Sequence, residues 1–424
     1  MDASNTTAHV AKFLGRVVAA VIIAAAALSC APLAPTSRSA PIIQRAPAAR
    51  TTSPPVTTVP APPPTASEPA VSVFPLAPPP DVESKPTTSS TMPEEPRVQR
   101  PPAPTSDLVA LILPLDVPAY ARAADAVRAG FLAAAQASGE QAKVVVIGHK
   151  EDGVLAAFDQ ARARGVRVVI GPLLRDDLKT LALADPEIPW TVALNQLDDR
   201  SPLPPTVFSF ALTIDADARV LAHLAQYEGV RGVDVISGDT PLMKRFAVAF
   251  ASEWTVGGGR LPSDLRFDPA PESLSLLRRS LVREAPDAVL LAVDGTQAAL
   301  VKSFVGLVRA YASGLLFDRP DPAIVRDLND VRVVDLPWLV TPDAPQFASF
   351  PRRDFASAPL DRLYALGLDA FRIAQSFAPD PPQHLLFDGA TGRIEQNDMR
   401  TFVREGQLAV YRDGQLVPLD AASR

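Results

Sequence analysis

Few residues in this 424-residue chain could do chemistry, and their spacing limits what that chemistry is. The four histidines, His9, His149, His223 and His384, are scattered, and no two sit at the helical spacing that would turn a pair of imidazoles onto one metal. There is no G-x-S-x-G elbow to expose a nucleophilic serine and no Walker loop to cradle a phosphate. The run "GGG" at 257–259 follows a predicted helix and reads as a cap and turn, since a phosphate loop would need a following helix that opens with lysine and a hydroxyl. "HKED" at 149–152 looks like an acid–base cluster. It lies between a predicted strand and a predicted helix, however, and there Asp152 is expected as an N-cap with its neighbours solvated. The expectation is no catalytic residue, no metal and no cofactor. One thiol is left to explain, Cys30.

Upstream of Cys30 the chain carries Lys12 and Arg16, then the run "VVAAVIIAAAAL" from Val17 to Leu28 with no polar side chain. That is a signal-peptide layout. Twelve helical residues cover roughly 18 Å, well short of the roughly 30 Å hydrocarbon core. Ser29–Cys30 resembles a lipoprotein lipobox, in which cleavage leaves a cysteine bearing a diacylglyceryl group as the new N-terminus. An uncleaved anchor, or an ordinary secretory cut after an Ala-x-Ala-like site, are the other readings of the same layout. Ala31 is not the aspartate that resembles an inner-membrane retention signal, so the resemblance implies a lipid anchor in the outer membrane, facing the periplasm. Each buried methylene contributes about 0.8 kcal/mol, so several acyl chains hold firmly where one alone binds marginally.

Residues 1–29 are thus read as a signal peptide and 30–106 as a lipidated cysteine and its linker. Proline, alanine, threonine and serine dominate the linker ("TTSPPVTTVPAPPPTASEP"), leaving too little apolar surface to offset the entropy of ordering. Its roughly 76 residues, at about 3.1 Å each when extended, reach roughly 235 Å at most.

From Asp107 the periodicity changes. "LVALILPL" is a short continuous apolar run, consistent with a strand buried on both faces. A helix follows, with Ala123, Val127, Gly130, Phe131 and Ala134 recurring on one face and Gly139 as its stop. Strands "KVVVIG", "VRVVIGPLL" and "WTVALNQ" alternate with helices over 154–164 and 176–184, which implies a parallel sheet with right-handed crossovers. A second alternation runs from Phe208 through "GVDVIS", "AVLLAV" and a helix over 296–308 to the predicted strand "VRVVDLPWLV" and a helix in 360–377. About 318 residues exceed one core, so 107–424 divides into two α/β lobes around a cleft at the carboxyl ends of the strands. "DGATG", "REG" and "RDG" punctuate the tail, which reads as small hairpins added to a lobe.

Pro114, Leu115, Asp116, Gly171, Pro172, Asn195 and Gln196 end strands of the first lobe, and Asp239 and Asp294 end strands of the second, so all are expected to line the cleft. Ligand contact is one reading of Asn195 and Gln196. The other has Asn195 capping loop backbone and Gln196 facing water. Arg352, Arg353 and Phe355 in "FPRRDFASAP" form a predicted loop with an interface-like composition, or a solvated loop of no special role.

The net charge of −6 and the lack of a basic run argue against a nucleic-acid partner, and one cysteine permits no internal disulfide. "ALILPLDVPAYARAADAVRAGFLAA" (110–134), "VIGPLL" (169–174), "ALNQ" (193–196), "RLYALGLDAFRIA" (362–374) and "FDGATGRIEQNDMRTFVREGQLAVYRDGQLVPL" (387–419), in this order, resemble the carboxyl-terminal domain of the penicillin-binding protein activator lipoproteins, the LpoA/LppC family. The resemblance implies a two-lobed type 1 periplasmic-binding-protein-like fold, each lobe a parallel sheet flanked by helices. It also implies a non-enzymatic lipoprotein that binds a class A penicillin-binding protein and stimulates peptidoglycan synthesis. Longer family members carry a helical repeat domain ahead of this one, where here the proline-rich linker stands. The alternative is a lipid-anchored receptor for an amino acid or wall fragment. Asp116-Val117-Pro118, an anionic and stiff loop, stands where amino-acid receptors of this fold resemble a Ser-Gly turn, and it suits a carboxylate poorly.

Overall fold

The computed structural model describes residue 101 and residues 103–184, 187–197, 202–318, 322–355, 357–378, 380–397 and 399–419. Cys30, the apolar run before it and the linker up to residue 100 lie outside the described residues. Where the description becomes continuous, Thr105 N and Ser106 N already donate to Gly165 O at 3.2 and 3.0 Å.

The first lobe begins β1 (Val109–Leu113), α1 (Ala121–Ala137), β2 (Val144–Gly148), α2 (Val154–Ala163), β3 (Val168–Ile170), α3 (Arg175–Ala184), β4 (Trp190–Ala193) and β5 (Val207–Phe210). All five residues of β1 are buried, as strands covered on both faces require. The second lobe holds α4 (Ile214–Tyr227), β6 (Val233–Ser237), α5 (Pro241–Val256), β7 (Ser263–Arg266), α6 (Pro271–Glu284), β8 (Ala288–Ala292), α7 (Gly295–Val305), β9 (Arg309–Ser313), α8 (Pro322–Asp327) and β10 (Val331–Asp335). The chain then returns through α9 (Pro337–Val340), α10 (Ala358–Ser376), β11 (Leu386–Asp388), β12 (Arg393–Gln396) and β13 (Thr401–Glu405) to the first lobe, and ends with β14 (Gln407–Arg412) and β15 (Gln415–Pro418) in the second.

Two sheets result, ordered β11-β12-β13-β5-β4-β3-β1-β2 and β15-β14-β10-β9-β8-β6-β7. Their central strands are parallel and the antiparallel pairs sit at the tail ends. The first sheet is packed on one face by α1 and α10 and on the other by α2 and α3; the second is packed by α4 and α5 on one face and by α6 and α7 on the other. The two-lobed α/β architecture read from the sequence is the one observed.

Four details differ. The tail does not add to one lobe: β13 pairs in parallel with β5, whereas β14 pairs antiparallel with β10, so the hairpins are divided between the sheets. The helix expected over 296–308 stops at Val305, and Arg309–Ser313 forms a strand between β8 and β10. The predicted strand "VRVVDLPWLV" ends at Asp335, because Pro337 cannot donate to a ladder and instead opens the short helix α9. Asp152 is not a helix cap: it takes a positive φ of 56° in the preceding turn, and Gly153 stands at the N-cap.

Candidate functional site

Each lobe offers its strand ends to the side where ligands of such sheets bind. In the first lobe these ends are tied to one another by backbone. Gly171 N donates to Val192 O at 2.9 Å, Leu194 N to Pro172 O at 2.9 Å, His149 N to Leu113 O at 3.1 Å and Asp116 N to His149 O at 3.2 Å. Gly171 is required by this closeness. Its φ is +117°, and a Cβ there would lie 2.2 Å from Ile112 O. Pro114, Gly171 and Pro172 are buried, Leu115, Asn195 and Gln196 are half-buried, and Asp116 is exposed.

The amide of Asn195 is already engaged, with Nδ2 donating to Leu173 O at 2.9 Å and Oδ1 accepting from Gln196 N at 2.9 Å. His149, buried beneath the same lip, sets Nε2 3.6 Å from Asp177 Oδ2, and burial raises the Asp177 carboxyl above its ordinary range against the pull of that imidazole.

In the second lobe Asp294 accepts from Gln297 N at 2.9 Å and closes a capping box on α7. Asp239 is exposed and receives Arg266 Nη2 at 2.8 Å, with Lys244 Nζ at 3.7 Å; the hydrogen bond from Arg266 holds its carboxyl below the usual range. The structure therefore gives Asn195, Asp239 and Asp294 intramolecular partners. Among the described residues no nucleophile–base pair is assembled at these strand ends. Among the described residues no group of three or more histidine, cysteine or acidic side chains is placed to hold a metal ion.

The loop at 351–355 is divided in its loyalties. Arg352 stacks its guanidinium 3.3 Å from the centre of the Trp338 ring, donates to Trp338 O at 3.0 Å and also donates to Pro342 O. Phe355 packs on Tyr364 with ring centres 5.7 Å apart. Arg353 is exposed and, with Pro351, borders a groove of about 390 Å³ along α1.

Sequence reasoning missed a buried electrostatic feature, which lies where the chain crosses between lobes. Arg404 Nη2 meets Asp217 Oδ1 at 2.7 Å, and Ser313 Oγ donates to Asp217 Oδ2 at 2.5 Å. Beside them Arg362 forks onto Asp335, Nε to Oδ1 at 3.0 Å and Nη2 to Oδ2 at 2.7 Å, and its Nη1 donates to Phe317 O at 2.8 Å. These four charged residues are buried. Asp335 ends β10 and Arg404 is the penultimate residue of β13, at two crossings, and Asp217 lies in the first turn after the third. Removing one partner of either pair would leave a buried charge uncompensated.

Comparison with known proteins follows this geometry along the chain. The model of the family described as LppC putative lipoprotein matches residues 103–265 and 274–414. A curated relative, penicillin-binding protein activator LpoA of Edwardsiella piscicida, is 27% identical over 312 residues, covering 62% of this chain and 44% of that protein. The protein of the same name from Haemophilus influenzae is 24% identical over 273 residues, covering 61% and 46%. The chain thus spans under half the length of these relatives. Among solved structures, a putative branched-chain amino acid ABC transporter from Chromobacterium violaceum superposes with a TM-score of 0.64 at 31% identity, covering 72% of this chain and 100% of that one. The LpoA (YraM) C-domain from Haemophilus influenzae, described as a regulator of PBP1A, superposes with a TM-score of 0.64 at 22% identity, covering 74% and 100%.

Proposed function

The chain belongs to the LppC putative lipoprotein family, and from that premise we propose that it is an outer-membrane lipoprotein that binds a class A penicillin-binding protein and stimulates its synthesis of peptidoglycan. The observation that carries this reading is the family match, which runs through both lobes and the divided tail, together with relatives named as activators of that kind. In this reading the chain performs no chemistry of its own. Cys30 carries the lipid, residues 30–106 are the reach between membrane and partner, and the two lobes are the body that docks. The engaged state of Asn195, Asp239 and Asp294 supports a role through surfaces rather than through a solute held by those groups.

The test uses the full-length chain in mild detergent. Co-purification with the cell's class A penicillin-binding proteins and faster glycan polymerisation or cross-linking in its presence are expected; absence of both overturns the reading. Mass spectrometry should find Cys30 at the mature N-terminus with acyl mass added.

The likeness at 31% identity to a structure named for branched-chain amino acid transport favours a second reading, a lipid-anchored solute receptor. Leucine, isoleucine and valine then give thermal shifts, since a ligand at 100 times its Kd adds about 2.7 kcal/mol of stability. The first reading expects no shift with any of them.

A further inference from the structure

The buried pair beneath the lip of the first lobe has a geometry that calls for one more proton than a neutral imidazole and an ionised carboxylate bring to it. His149 Nδ1 lies 3.1 Å from Lys150 O, and a carbonyl can only accept, so Nδ1 carries the ring hydrogen. In the neutral imidazole Nε2 is then a bare acceptor. It faces Asp177 Oδ2 at 3.6 Å, and an ionised carboxylate is an acceptor as well. Both atoms are buried, and neither has another hydrogen-bond partner among the described residues. The two side chains are 2% and 12% exposed. Two buried acceptors that face only each other are costly. One proton between them satisfies both, as imidazolium on carboxylate or as carboxylic acid on imidazole.

The charged groups around the pair do not replace that proton. Asp116 follows β1, Lys150, Glu151 and Asp152 follow β2, and Arg175, Asp176 and Lys179 lie on α3; all are exposed, and none donates to either buried atom. From the remaining neighbour, α2, the buried residues Val154, Ala157 and Phe158 are apolar. Burial foremost pushes the Asp177 carboxyl above its ordinary 3.8; the charge of His149 opposes the rise, and Asp176 and Asp152 add to it.

The pair sits where two elements meet. His149 N donates to Leu113 O and Asp116 N to His149 O, so the ring lies under the backbone that joins the ends of β1 and β2, while Asp177 belongs to the first turn of α3. We propose that His149 and Asp177 form a proton-operated latch: one proton shared between Nε2 and Oδ2 fastens the strand-end lip to α3, and its loss as pH rises leaves two facing acceptors that let the lip loosen. The folded pair holds this proton more tightly than the two residues do in the unfolded chain. The stability it contributes is therefore complete at low pH and is lost, above the ordinary 3.8 of the carboxyl, as pH rises through the point at which the folded pair lets go.

The test compares the full-length wild type in mild detergent with Asp177→Asn. The asparagine can point Nδ2–H at the bare Nε2, which puts a hydrogen that does not titrate in place of the shared proton. Urea midpoints at pH 5.5, 7 and 8.5 should show the variant gaining on the wild type by about 0.5 M across that range. The other histidines are common to both chains and cancel. Amide exchange of segments 113–117 and 148–153, corrected for the intrinsic rate, should show protection in the wild type falling about tenfold over the same range and holding in the variant. A constant difference in midpoint, or a wild type that gains on the variant as pH rises, overturns the shared proton. A widening difference with unchanged protection of the lip overturns the latch. Should circular dichroism show Asp177→Asn unfolded, His149→Gln, whose amide can donate to Asp177 Oδ2 in the same way, carries the same comparison with the same outcomes.

Discussion

Arg404 Nη2 rests 2.7 Å from Asp217 Oδ1 with neither side chain exposed, although 187 residues of sequence separate them. The pair joins β13 of the first lobe to α4 at the entrance of the second, and Ser313 adds a hydroxyl from β9. Removing one partner strands a buried charge, so Asp217→Leu or Arg404→Met is expected to cost about 3–5 kcal/mol in urea denaturation. The double substitution should recover much of the loss, because two apolar groups leave no charge behind. Equal stability of either single variant and the wild type would show that the pair is idle.

A second expectation concerns the crossing of α1 and α10. A Cβ on Gly130 would lie 1.9 Å from Tyr364 O, and one on Gly367 would lie 2.2 Å from Val127 O, so each glycine lets the opposing backbone in. Gly130→Ala and Gly367→Ala must each spread the helices, which loosens the Phe131–Phe371 contact at 5.2 Å. Each should lose about 1–3 kcal/mol by thermal unfolding. The double variant should lose less than the sum, since helices already parted have room for the second methyl.

What was legible in the sequence was what local pattern encodes. The apolar run that became β1 announced a strand covered on both faces, the runs that became β6 and β8 announced strands, and the helical spacing of Val127, Gly130 and Phe131 marked the face of α1 that is buried. Asp294 could have been read as a cap, since Gln297 three places on completes a capping box. Strand β9 was hidden because "RAYAS" is short, carries a charge and follows a helix without a strong stop. The division of the tail could not be read, because pairing of β13 with β5 and of β14 with β10 is set by long-range register, not by composition. For the same reason nothing in "TFVREG" pointed to Asp217. A lone aspartate in the apolar strand "GVDVIS" was the one visible hint of the buried carboxylate Asp234.

Arg352 offers a third test, because it mixes two roles that composition alone confuses. Its guanidinium stacks on Trp338 and donates to two carbonyls of its own fold, which makes it a clamp on the 338–352 segment. Arg352→Ala should therefore lower stability by about 1–2 kcal/mol and change Trp338 fluorescence. Lysine should not restore it, having neither the planar face nor the fork. Synthase binding at temperatures where the variant stays folded should be unchanged; a binding defect with unaltered stability would move Arg352 from clamp to contact.

The last expectation concerns a buried carboxylate, Asp234, which lies on β6 and is 5% exposed. Burial first, and then repulsion from Glu284, raise Asp234 above the ordinary 3.8, while Ser263 and Arg260 act against the shift. An acid with a raised folded-state pKa holds its proton more tightly in the folded protein than in the unfolded chain. Its favourable contribution is therefore complete at pH values below the unfolded pKa and is lost as pH rises through the folded one. Asp234→Asn keeps the shape and removes the titration. Urea unfolding at pH 4, 5.5 and 7 should show the variant gaining on the wild type as pH rises. If the gap between them stays constant across that range, the burial of Asp234 does not make stability depend on pH there.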